Sequence, residues 1–174
     1  MKGNTELMTD CKHPEIEFEH DDFDFDTIED ELRVDERCQT LLKRFYQHLQ
    51  GRGLPLQKAS DLAYCADFYL RDYLLDFTRQ NLARPQPGVV RLFAASWFIT
   101  HTLDPEIKVL ELHLEAIREL YRFLHYQHLI SEDELVFIED EAGLTEYYQQ
   151  RLERFLAITG DGYSAWESEC PLRG

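Results

Sequence analysis

Cysteine is scarce and scattered in this chain, and what is missing around each one narrows the chemistry it can carry. Cys11, Cys38, Cys65 and Cys170 form no Cys-x-x-Cys pair and have no histidine at finger-like spacing, which excludes the usual ligand sets of a closed zinc site. They read as free thiols, and Cys38 and Cys65 fall in apolar-periodic stretches where cysteine acts as a small hydrophobe. A run of roughly 18 apolar residues is also missing, so no membrane-spanning helix is predicted. The start at Met1-Lys2-Gly3-Asn4-Thr5-Glu6 lacks the charged-then-apolar order of a secretory signal. A cytoplasmic protein without a membrane partner is expected.

The motifs of catalysis are missing as well. Gly51-Arg52-Gly53 lacks the further glycine and the preceding strand of a phosphate loop, and no Gly-x-Ser-x-Gly elbow occurs. No Glu-x-x-His pair lies on a predicted helix and His-Glu-x-x-His is absent, which removes the di-iron bundle and zinc-protease patterns. The best histidine pair is His125 with His128, close in sequence to Asp133 and Glu134. Two imidazoles do not make a metal site, and cations near a helix C-terminus are already favoured by the helix dipole. No cofactor, metal or small-molecule substrate is expected.

What the chain does have is acid, unevenly placed. The net charge is −16, with −11 in residues 1–36, +3 in residues 37–130 and −8 in residues 131–174. A mildly basic centre is thus flanked by two acidic ends. Residues 1–30 show no helical period and read as an acidic, mostly disordered tail. Within it, Phe18, Phe23 and Phe25 alternate with carboxylates, a pattern suited to a docking segment. Its acids could pair with Lys58, Arg71 or Lys108 in the basic centre.

Residues 31–158 read as one helical domain, and residues 159–174 as a C-terminal tail pinned by Trp166. Helical spacing of Cys38, Leu41, Leu42, Phe45 and Leu49 predicts a helix from Val34 to Gln50. A second runs from Leu56 to Phe77, burying Leu62, Cys65, Ala66, Tyr69 and Tyr73. A third covers Val89 to Thr100. Asp104-Pro105 predicts the start of a fourth reaching His128; its apolar positions Leu110, Leu114, Ile117, Tyr121 and Leu124 step by four and three, and its wide stripe marks it as central. Ser131 and Glu134 form a capping box for a helix from Glu132 to Glu141, and Thr145 would cap a last one to Ile158. The predicted fold class is all-α, a single-domain bundle of five or six helices.

Two stretches carry a resemblance. Ser60, Tyr64 and Phe68 follow one another at intervals of four on the second predicted helix, and Leu114-Glu115-Ala116-Ile117-Arg118-Glu119-Leu120-Tyr121-Arg122-Phe123-Leu124 lies on the fourth. Both resemble the N-terminal SAM-like core-binding domain of tyrosine recombinases and phage integrases, over about residues 37–130. The resemblance implies a SAM-like helical core and a nucleic-acid-facing surface at Lys58, Ser60, Arg71, Lys108 and Arg118. The recombinase catalytic domain is not expected, since 44 residues follow position 130. The chain departs from the family at the start of the fourth helix, where Glu111 and Glu115 would repel phosphate. The expected function is therefore a non-catalytic interaction or regulatory module. Its partner is another protein or a second copy, with a DNA-binding accessory domain as the alternative and an enzyme of unrecognised type as a further one.

Overall fold

The computed structural model describes residues 18–171, and in it Thr27 sets the start of the first helix. Its Oγ1 accepts from the Asp30 N–H at 3.1 Å, while the Asp30 carboxylate accepts from the Thr27 N–H at 3.2 Å. Glu29, Asp30 and Glu31 fill the first turn, where carboxylates complement the helix dipole. The helix, α1 (Ile28–Gly51), therefore begins before the expected Val34. Acid that reads in sequence as a disordered tail acts here as a helix start. Residues 1–17 and 172–174, and with them Cys11, lie outside the described residues.

After Gly53, whose φ of +84° suits glycine, comes α2, residues 56–78. It is regular over Leu56–Asp67 and π-helical over Phe68–Thr78, ending at Arg79 in the left-handed region. Residues 89–101 form α3, with a π-helical middle at Phe93–Trp97. Then follow α4 (Ile107–Tyr126), α5 (Glu132–Ala142), α6 (Thr145–Leu156) and α7 (Tyr163–Ser168). A single 3₁₀ turn, His20–Phe23, precedes α1. The described residues hold seven helices and no strand. The all-α class is as expected, with the count slightly higher.

Three predicted details change. Asp104 does not cap α4, which begins at Ile107 with no side-chain cap; Pro105 is buried instead. Thr145 is the first helical residue of α6 rather than its cap. Part of the expected C-terminal tail folds into α7, with Trp166 only 4% exposed. The Ser131–Glu134 capping box is present as predicted.

The core is built around α4, which contacts α1, α2, α5 and α6. Leu110, Leu114, Ile117, Leu120, Tyr121 and Leu124 are all buried. The π-helical stretches of α2 and α3 meet alongside it and bring Phe68, Tyr73 and Phe77 against Phe93 and Trp97, with ring centroids 5.2–6.4 Å apart. The buried hydroxyls are satisfied: Tyr73 donates to the Val89 carbonyl at 2.7 Å, and the Tyr69 and Tyr121 oxygens lie 3.3 Å apart. Burial raises the Tyr69, Tyr73 and Tyr121 phenols above their ordinary range.

A buried cation fixes the far end. Arg151 is 1% exposed; its guanidinium donates to the carbonyls of Ala95 at 3.0 Å and Trp166 at 2.7 Å and to Ser96 Oγ at 3.3 Å, and stacks 3.9 Å over the Trp166 ring. Trp166 Nε1 returns a bond to the Arg151 carbonyl at 2.9 Å. Such pairing is what a desolvated charge requires, and it ties α6 and α7 to the π turn of α3.

Two measurements test this core. Ile117→Ala leaves a cavity in the core around α4 and is expected to cost about 2–5 kcal/mol in a denaturant titration; a loss under about 1 kcal/mol would mean that the stripe does not pack as described. The second test is by pH. Burial holds His113 below its ordinary pKa of 6.5, so the unfolded chain takes up a proton that the folded chain refuses, and stability is lost as pH falls through that value. His48 acts in the same direction, through burial and then Arg52, while Asp76, raised by burial and by Asp72, acts in the opposite one. Thermal melts between about pH 7.5 and about pH 5.5 should show a smaller acid loss for His113→Phe than for the parent chain; parallel slopes would refute the assignment.

Candidate interaction groove between the first two helices

The helical hairpin of α1 and α2 leaves an open groove along its outer side. On α1, Gln39, Leu42, Lys43 and Tyr46 recur at helical spacing; on α2, Ser60, Ala63, Tyr64, Asp67 and Arg71 do the same, and together they line about 570 Å³. Leu42 and Ala63 supply apolar surface at the base. Tyr64 stands over it with 72% of its surface exposed. At one end Arg71 donates Nε to Asp67 at 2.6 Å and Nη1 to Asp35 at 3.4 Å. Asp67 in particular raises the Arg71 pKa further, so the guanidinium stays cationic.

Of the five residues for which the resemblance implies a nucleic-acid-facing surface, the groove unites only Ser60 and Arg71. Lys58 donates to Glu115 on α4 at 2.6 Å. Lys108 lines a different cleft of about 370 Å³ between the start of α4 and α6, with Pro105, Leu152 and Leu156. Arg118 is half-buried on α4 and forms no ion pair among the described residues. The basic centre read from net charge is thus divided among several places and largely matched by carboxylates.

Phe18, Phe23 and Phe25 lie against the chain's own helices: Phe23 is fully buried, Phe18 is 8% exposed and Phe25 is half-buried. Among the described residues the acids around them do not meet Lys58, Arg71 or Lys108, the partners that sequence suggested. Their carboxylates meet Arg37 and Arg84, while Arg33 donates to the Asp22 and Asp24 carbonyls, because the chain enters α1 beside the loop that follows α2.

His125 and His128 do not gather ligands, and among the described residues no group of three or more His, Cys, Asp or Glu side chains could hold a metal ion. His128, two residues past the end of α4, sits in the left-handed region, with φ of 60°. Glu141 is the functional-looking carboxylate that sequence reasoning missed. It accepts from the backbone N–H groups of Gly88, Val90 at 3.0 Å and Arg91 at 3.2 Å, capping α3 from α5. The only signal was a negative one: Gly88 gives α3 no capping side chain of its own. No helix among the described residues is long and apolar enough to cross a membrane. No protein-family model, curated protein or solved structure matches the chain.

Cys38, Cys65 and Cys170 are free and buried. Burial pushes the Cys38 thiol up to about 12, and Cys65 up to about 11, so at about pH 8 only about a thousandth or less of either is the reactive thiolate. Alkylation of the native protein followed by peptide mapping should leave both unmodified while urea exposes them. Rapid native labelling of either would show that the α1–α2 hairpin opens readily.

Proposed function

We propose that this chain is a non-catalytic interaction module that binds a helical segment of another polypeptide, a partner protein or a second copy, in the α1–α2 groove. The observation that carries this is Tyr64, a large ring exposed above the apolar base of Leu42 and Ala63 and rimmed by Lys43, Ser60 and Arg71. Tyrosine in such a setting supplies contact area at small entropic cost and is enriched where proteins meet. A groove between two antiparallel helices accepts a third helix by ordinary ridge-and-groove packing.

The nucleic-acid reading draws on the resemblance to the integrase core-binding domain, which this reading retains as a likeness of the helical core. Phosphate binding is opposed by the carboxylates already engaged with Lys58 and Arg71 and by exposed Glu111. A protein partner needs none of those bridges broken, so it stands first.

The test is a photo-crosslinking amino acid at position 64 of the full chain in its native cells. Adducts to polypeptide are expected, identified by mass spectrometry as a second copy or another protein, and Leu42→Glu should suppress them at least about tenfold, a cost near 1.4 kcal/mol. Adducts chiefly to nucleic acid, or no more adduct than at an exposed control such as position 29, would overturn the proposal.

A further inference from the structure

The segment from Phe18 to Asp26 is held on the helical body in a manner unlike the helices themselves. Its main-chain carbonyls are met one by one: Asn81 Nδ2 donates to that of His20 at 2.9 Å, and Arg33 donates to those of Asp22 at 3.3 Å and Asp24 at 2.9 Å. Its carboxylates are met too. Arg84 donates to Asp21 at 2.7 Å and to Asp24 at 3.3 Å, Asn81 donates to Asp24 at 2.7 Å, and Arg37 lies 3.6 Å from Asp22. Two rings descend between these contacts, Phe18 and Phe23, 5.9 Å apart, and the Arg79 guanidinium lies 5.1 Å from the Phe25 ring centre.

We propose that this surface, formed by Arg33, Arg37, Asn81 and Arg84 around two apolar sockets, is a recognition site for acidic, phenylalanine-bearing linear segments of polypeptide. Phe18–Asp26 is its resident occupant, and a partner's segment of the same chemistry takes its place. Three of the donor contacts go to peptide carbonyls, which a nucleic acid does not offer, so a peptide rather than a phosphate backbone fits the site. Among the described residues no main-chain to main-chain hydrogen bond joins the segment to the body; every such bond it makes is local. Side chains alone hold it.

The ion pairs that hold it are exposed, with the Arg84 and Asp21 side chains at 49% and 83% exposure, and pairs of this kind contribute little. Retention rests mainly on Phe18 and Phe23, and a segment so attached belongs to the part of a fold that opens first. Tethering gives the resident a high effective concentration, so it sets the threshold that an incoming segment must exceed. Arg33 and Arg37 lie about half a turn around α1 from Gln39 and Tyr46. The site is thus separate from the α1–α2 groove, and its failure would leave the groove reading untouched.

The test uses the full chain and a fluorescent peptide with the sequence of residues 17–27. Phe18→Ser with Phe23→Ser frees the surface and is expected to bind the peptide at least about tenfold more tightly than the parent chain, whose own segment competes. Adding Arg33→Glu and Arg84→Glu should abolish that binding. If the serine variant loses its helical circular dichroism, Asp21→Lys with Asp24→Lys loosens the resident while leaving both rings, and should show the same direction of change. Folded variants of either kind that bind the peptide no better than the parent, or that prefer a DNA duplex to it, would overturn the proposal.

Discussion

A helix whose apolar stripe takes up about half of its circumference has to be covered along that whole side, and α4 imposes that constraint on the rest of the chain. Its buried positions run from Leu110 to Leu124 and face α1, α2, α5 and α6 in turn. The elements around it are therefore placed by their ability to cover it. This also explains why the α1–α2 groove faces outward: the inner stripes of both helices, Val34 to Leu49 and Ala59 to Leu75, are committed to the core. The residues one face further round are left for contact with something else.

The periphery is held by charges used in an unusual direction. Glu141 and Arg151 lie 51 and 56 residues from the α3 backbone groups they satisfy, Glu141 at the start of that helix and Arg151 at its π-helical middle. A helix of thirteen residues with no capping side chain and a widened turn has little stability of its own. The two distant side chains supply what its local sequence omits. The acidic entry segment follows the same logic, with arginines of the body completing its carbonyls and carboxylates.

Much of the fold was legible because it depends on period. The stripes of α1, α2 and α4 and the Ser131–Glu134 box all follow from spacing within one element. The start of α1 was misjudged although Thr27 and Asp30 were visible, because a dense run of carboxylates outweighed one capping pair. Arg151 and Glu141 were illegible for another reason: on an amphipathic helix a charged residue reads as solvated surface, and only tertiary placement reveals a buried guanidinium or a cap in trans. Within the candidate site, Ser60 and Arg71 were found through a resemblance, whereas the exposure of Tyr64 could not be read from a pattern that counts aromatics as core.

The Glu141 cap has a consequence for where this protein can be divided. The interval 37–130 ends before α5, which begins at Glu132. A chain cut there would keep α3 but lose the carboxylate at its start, the Arg151 contacts to Ala95 and Ser96, and the α5 and α6 surfaces that cover α4. It would also lose the arginine-held entry on the other side. That interval is thus smaller than the set of elements that complete α3 and cover α4. The flanking pieces are structural parts of one body with it.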